Sequence, residues 1–252
     1  MVKGSLSVVV PALNEEKNLR QAVREIGVAF GRLIDGWEIV VVDDGSTDAT
    51  GKIAEELSRE DPHVRAVHHD RPRGLGASFR HGVEVASKEY CLLVPGDNEN
   101  PADSLVGLLA RMGEADIVVT RVENTEERGL FRRALSRTYT AVLNGLFGLR
   151  LPYYNGPTLY RRTFLLSLPP WSSGFAYQAQ ILIPLLRGGA TYAVASIRIR
   201  RVEGSSTKAF KPKNVATVFW TILRLFWDLR IAPLWRLARD PGRPPAPLPG
   251  GP

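Results

Sequence analysis

The chain has 252 residues, enough for one α/β domain with a sizeable core. At 44% hydrophobic and 23% charged residues, its composition excludes a largely disordered protein. A net charge of +7 favours anionic partners such as nucleotides or phospholipid surfaces, while the single cysteine, Cys91, excludes an intrachain disulfide and a cysteine-based metal site.

The opening MVKGSLSVVVPALNEE holds an apolar run of about five residues, short of the roughly seven to fifteen that a signal peptide requires. No uncharged apolar stretch reaches the roughly 18 residues of a membrane span. The expectation is a cytoplasmic protein, soluble or peripheral at the membrane face. LSVVV (6–10) reads as a buried strand, and Asn14 as the cap of a helix continuing through Leu19, Val23 and Ile26. WEIVVV (37–42) is a second strand; DDGSTD then turns the chain, and Asp48 caps a helix through Ile53 and Leu57. A weaker strand spans 64–68, and the glycine-rich RPRGLG opens a helix to about Ala86. YCLLV (90–94) and DIVVT (116–120) are further strands. A helix spans 131–147, LPYYNGPTLYRR is loop followed by strand or turn, FAYQAQILIPLL is a helix despite Pro184, and ATYAVASIRIRRV is a strand. Residues 214–232 are strongly apolar, and the Pro/Gly-rich tail 240–252 is expected to be disordered.

Continuous rather than alternating apolar runs indicate strands buried on both faces. Strands alternating with helices indicate right-handed crossovers and a mainly parallel sheet, in which ligands bind at the carboxyl ends of strands. Those ends carry the acids: Asn14-Glu15-Glu16 after the first strand, Asp43-Asp44 with Asp48 after the second, and Asp97 with Glu99 after YCLLV. Such carboxylates can accept hydrogen bonds from a nucleotide's base and ribose, or hold a hard divalent cation that bridges diphosphate oxygens. Taken singly, each acid is as well explained as a turn former or helix cap. A dinucleotide fold wants G-x-G-x-x-G after the first strand, where PALNEE stands instead, and no phosphate-binding G-x-x-x-x-G-K-[ST] occurs at a strand end.

The series VVVPALNEEKNL, EIVVVDDGSTDAT, RGLGASFRHG and the acid motif after YCLLV resembles the family 2 glycosyltransferases over residues 5–213, and among them the dolichyl- or polyprenyl-phosphate sugar synthases. The resemblance implies a GT-A fold, a three-layer α/β/α sandwich spanning residues 1–213. It implies a nucleotide segment at Pro11, Leu13 and Glu15, and a base-binding strand end at Val42 and Asp44. Gly96 and Asp97 then face the donor, Asp97 and Glu99 hold Mg2+ or Mn2+, and Arg121 is the basic residue after the fifth strand. Arg201 and Lys208, in RRVEGSSTK, match a basic loop near the donor diphosphate that is one residue longer here. Asp97, Arg121, Arg201 and Lys208 are thereby the expected catalytic residues.

Three departures matter. Pro95 replaces the first acid of the family's D-x-D, Asn155 stands where many relatives carry Asp, and Gln178 and Gln180 stand where an acid is common. No obvious base remains. A sugar hydroxyl needs a general base as it attacks, whereas a phosphate monoester is already anionic at neutral pH. The expected reaction is therefore inverting transfer from a UDP- or GDP-sugar to a polyprenyl phosphate. Transfer to a soluble or glycan hydroxyl, or donor binding without turnover, are the alternatives. Nucleic acid is not an expected partner, since charge alone suggests it.

In the apolar segment, Thr217, Thr221, Arg224 and Asp228 recur along one helical stripe, with Phe219, Trp220, Phe226 and Trp227 elsewhere. Residues 214–239 are expected to form an amphipathic membrane-interface helix, or one that packs on the core or joins a second subunit as a homo-oligomer.

Overall fold

Short continuous runs of β-branched residues build the centre of the fold. In the computed structural model, which describes residues 2–34, 36–127, 129–174, 176–200 and 212–231, these runs form a seven-stranded sheet. The strands are β1 (Ser5–Ala12), β2 (Gly36–Asp43), β3 (Val64–His68), β4 (Tyr90–Leu93), β5 (Ile117–Val122), β6 (Leu159–Arg161) and β7 (Tyr192–Ile197). Their order is β3-β2-β1-β4-β6-β5-β7. Only β6 runs against its neighbours, antiparallel to both β4 and β5. The carboxyl ends of β1, β2, β4 and β5 consequently share one edge of the sheet.

Alternate side chains enter two separate cores. Val8, Val10, Ile39, Val41 and Leu92 face one; Val9, Val40, Val42 and Cys91 face the other. The first core is closed by α1 (Leu19–Gly31), α2 (Thr50–Glu60) and α4 (Ala102–Leu109). The second is closed by α3 (Leu75–Val85), α5 (Leu130–Phe147), α6 (Arg162–Ser167), α7 (Tyr177–Arg187) and α8 (Pro212–Phe226). Each fully buried valine, leucine or isoleucine contributes about 1.5–3 kcal/mol of burial free energy, which explains why uninterrupted apolar runs select the middle layer. The expected three-layer sandwich with a mainly parallel sheet is the fold observed.

Several details differ from the sequence reading. Asn14 does not cap α1, which begins at Leu19. It adopts a left-handed conformation (φ 57°), and its Oδ1 accepts the Thr47 N–H at 2.9 Å, stitching the loop after β1 to the loop after β2. Asp48 is not the cap of α2, whose N-cap is Ala49, but one residue earlier it accepts the Thr50 N–H at 2.9 Å. Neither α4 nor the six-residue α6 was expected. Helix α8 ends in a π-helical turn, Trp227–Ile231, and packs on the body through Leu225 and an edge-on contact of Phe226 with Phe147. The tail expected to be disordered lies outside the described residues.

Candidate active site

The loop after β4 is held against β1 by the Gly96 N–H, which donates to the Pro11 carbonyl at 3.0 Å. A Cβ at Gly96 would sit 3.3 Å from both the Ala12 Cβ and Leu19 Cδ1, so the loop approaches β1 closely. This brings Asp97 beside Glu15. Asn98, nearly buried and left-handed at φ 58°, turns the chain so that the Glu99 N–H donates to Asp97 Oδ1 at 3.0 Å. Burial pushes the Asp97 carboxyl up to about 6; the Glu99 N–H opposes the rise, the charges of Glu99 and Glu15 add to it, and Arg132 opposes it. Three acids from two loops thus meet, and the Arg132 guanidinium lies 3.7 Å from Glu99.

The donor set fits a hard divalent cation. Asp97 is a carboxylate whose ionised form is disfavoured by burial and like charge, the surroundings that a bound cation relieves. Among the described residues no group of three or more His, Cys, Asp or Glu is placed to hold a metal ion by itself. Asp97 and Glu99 would supply two ligands, leaving the rest of the shell to ligand oxygens and water.

Asp44 reaches the same edge but is engaged differently. Its two carboxylate oxygens accept the Arg73 N–H at 2.9 Å and the Gly74 N–H at 2.8 Å, fixing the loop that enters α3. His69 Nδ1 lies 2.8 Å from Asp44 Oδ1, and His69 Nε2 lies 2.9 Å from His81 Nδ1. Because a carboxylate only accepts, His69 Nδ1 donates to Asp44. Its neighbour Asp43 turns to the other side, accepting the Ser46 N–H at 3.0 Å and pairing with His68 Nδ1 at 3.1 Å. Val42, matched to the base-binding strand end, lies in β2 with its side chain wholly buried in the core beneath α3. Pro11 is likewise buried, while Leu13 and Glu15 are half-buried at the edge. Arg201 and Lys208 lie outside the described residues.

Both glutamines are tied to backbone. Gln178, buried, donates to the Gly156 carbonyl at 2.6 Å, and Gln180 Oε1 accepts the Ser172 N–H at 2.6 Å. They shape the loops at 156–158 and 171–174 and are placed as structural groups rather than as bases. Asn155 is exposed.

Beyond the acids lies a groove of about 330 Å3 lined by Arg121, Arg133, Arg137, Thr140, Asn144 and Tyr153, among others, with no acid in its wall. Arg121 stands exposed at the carboxyl end of β5. Arg133, Arg137, Thr140 and Asn144 recur at spacings of three and four on one face of α5. Sequence reading found Arg121 and missed the two α5 arginines; their i, i+4 spacing was the available signal.

A mainly parallel seven-stranded sheet between two helical layers, with acids at the ends of β1 and β4, is the architecture of the GT-A fold. The pattern of glycosyl transferase family 2 matches residues 7–182, and the chain belongs to that family. It is 28% identical over 162 residues to the undecaprenyl-phosphate 4-deoxy-4-formamido-L-arabinose transferase of Salmonella choleraesuis (strain SC-B67), covering 61% of this chain and 50% of that protein. The equivalent Salmonella newport (strain SL254) protein matches to the same extent, so the chain spans about half the length of these relatives. Among solved structures, glucosyl-3-phosphoglycerate synthase of Mycobacterium tuberculosis with Mn2+, UDP-glucose and phosphoglyceric acid shares the fold at TM-score 0.69 and 23% identity, over 89% of this chain and 80% of that one. Its complex with Mg2+ and UDP gives TM-score 0.67 at 20% identity, over 88% and 79%.

Proposed function

We propose that the protein transfers a sugar from a UDP- or GDP-sugar to a lipid phosphate of the polyprenyl class at a membrane surface. The observation that carries this reading is the groove of Arg121, Arg133 and Arg137, free of acids, opening beside the Glu15–Asp97–Glu99 cluster. Guanidiniums without a base suit an acceptor that arrives already ionised. Gln178 and Gln180, standing where relatives often carry an acid, support the same choice, since an amide cannot deprotonate a hydroxyl. The Salmonella relatives, by their names, act with undecaprenyl phosphate.

A Mg2+ or Mn2+ ion on Asp97 and Glu99 would neutralise charge on the donor diphosphate. Glu15 borders the donor segment, and Arg121, with Arg201 and Lys208, stabilises the diphosphate as it departs. The acceptor phosphate, held by Arg133 and Arg137, attacks the opposite side of the anomeric carbon. One C–O bond forms as the bond to the diphosphate breaks, so configuration inverts. Helix α8 exposes Phe219, Trp220 and Trp227, a composition suited to the membrane interface, and no helix among the described residues is long and apolar enough to cross a membrane. This reading places the protein peripherally at the cytoplasmic membrane face.

The test is an assay with labelled UDP-glucose, UDP-N-acetylglucosamine and GDP-mannose, a divalent cation and short-chain polyprenyl phosphate. The expected result is label in the organic phase. Label that moves only to a water-soluble acceptor, or donor binding with no transfer, overturns the lipid assignment.

A further inference from the structure

The parallel register of β2 and β3 pairs Asp43 with His68, so the next positions, Asp44 and His69, also face each other just past the strand ends. Successive side chains point to opposite faces of a sheet, and the two acid–imidazole pairs part accordingly. His68 turns towards α2, where its Nε2 lies 2.9 Å from Glu55. His69 turns towards α3, where its Nε2 lies 2.9 Å from His81 Nδ1. The His69 and His81 rings are within 6° of parallel with centroids 5.1 Å apart, so at that nitrogen separation they meet edge to edge. The side chains of His69 and Asp44 are only 1% and 5% exposed. Strand and helix together fix the imidazole, and with it the bond from Nδ1 to Asp44.

A carboxylate offers about four acceptor positions, two on each oxygen. On Asp44 Oδ1 both are taken, by the Arg73 N–H at 2.9 Å and by His69 Nδ1 at 2.8 Å. On Oδ2 one is taken, by the Gly74 N–H at 2.8 Å, and one is left. The backbone sets that carboxylate beside the proposed cation site. The Asp44 N–H donates to the Ala12 carbonyl at 2.8 Å on one side of β1, as the Gly96 N–H donates to the Pro11 carbonyl at 3.0 Å on the other. Asp44 and the Asp97 loop therefore follow strands two spacings apart, about 10 Å, a gap that a ribose and a phosphate can bridge. We propose that His69, held by His81, is a specificity-determining residue: by filling Asp44 Oδ1 it leaves the carboxylate room for a base with a single N–H on its pairing edge, which selects a uracil nucleotide and rejects a guanine one. This inference rests on the nucleotide-sugar reading above and narrows it. Uracil presents N3–H alone. Guanine presents N1–H and its exocyclic amine side by side, which match a carboxylate only when both oxygens are open. With Oδ1 filled, the amine is buried without an acceptor.

The experiment is calorimetry on the full chain with Mg2+ and nucleoside diphosphates. Wild type should bind UDP at least about tenfold more tightly than GDP, and N3-methyl-UDP at least about tenfold more weakly than UDP. IDP, a purine with N1–H and no exocyclic amine, should bind at least as tightly as GDP, which separates the amine from the size of the ring. His69→Leu should reduce the UDP-over-GDP ratio about fivefold or more, and His69→Asn, whose amide N–H can take the place of Nδ1–H, should restore it. GDP bound as tightly as UDP, or more tightly than IDP, overturns the proposal, as does equal binding of UDP and N3-methyl-UDP. A ratio that is the same in wild type, His69→Leu and His69→Asn overturns it too. Should His69→Leu fail to fold, the nucleotide comparisons on wild type still decide. Absence of affinity for every one of these diphosphates refutes the nucleotide-sugar reading and this proposal with it, whereas UDP and GDP bound alike overturns the proposal and leaves that reading standing.

Discussion

Arg132 and Glu99 lie 3.7 Å apart, which ties the first turn of α5 to the acid loop after β4. The three arginines near this turn are thereby divided. Arg132 answers an acid at the proposed cation site, while Arg133 and Arg137 line the neighbouring groove.

Asp97→Asn keeps the volume of the side chain and its hydrogen bond from the Glu99 N–H, but removes the charge. The expected effect is a loss of roughly 10²–10³-fold in kcat with an unchanged melting temperature, measured with saturating donor and cation. A variant with wild-type turnover removes the proposed cation site.

Arg137→Gln should raise KM for a phosphate acceptor about tenfold or more, because a charge-assisted contact to phosphate is lost. Donor affinity, read by calorimetry with the nucleoside diphosphate and cation, should be unchanged. An equal loss for donor and acceptor would place the groove on the donor side instead.

Glu38 is buried in β2, and its Oε1 accepts bonds from Ser7 Oγ at 2.7 Å, the Ser87 N–H at 2.6 Å and Ser87 Oγ at 3.0 Å. Burial alone pushes its carboxyl up, but the bonds from Ser7 and Ser87 outweigh it and hold the group below the usual range. Its folded pKa being the lower, the stabilisation is complete above the unfolded value of about 4.3 and is lost as pH falls through the folded one. Glu38→Ala should cost about 1–3 kcal/mol in urea unfolding at pH 7, a gap that narrows on acidification below pH 4. A gap independent of pH contradicts the assignment.

Gly82 brings α3 onto β1, where an added Cβ would overlap the γ-methyls of Val9. Gly82→Ala should destabilise by about 1–3 kcal/mol, and Val9→Ala in the same chain should recover part of that loss. Thermal unfolding of the two single variants and the double variant measures the coupling; strict additivity contradicts the contact.

The sheet was legible because strands buried on both faces must be continuous apolar runs, as VVVP, IVVV and CLLV are. β6 was legible only as strand or turn, because Leu159-Tyr160-Arg161, just past Gly156-Pro157, are too few to carry a period of their own; pairing with β4 and β5 makes them a strand. Helix α6 follows β6 at once and is too short to show a repeat. At the site, Asp97 and Glu15 were legible as acids following strands. The engagement of Asp44 was not, since its partners Arg73 and Gly74 are backbone donors some thirty residues on, and any side chains there would offer the same N–H groups. Arg133 and Arg137 were hidden for another reason: an arginine on a helix reads as solvated surface until the opposing wall, Tyr153 among it, is in place.

The reversal of β6 has an architectural consequence. A strand running with its neighbours would be entered from the far edge of the sheet, but β6 is entered from the catalytic edge. The segment before it is therefore delivered beside Thr120, whose hydroxyl donates to the Pro157 carbonyl at 2.9 Å, and it contributes Pro152 and Tyr153 to the groove. The stretch between α5 and β6 thereby builds one wall of the groove while belonging to none of the strand ends that carry the acids.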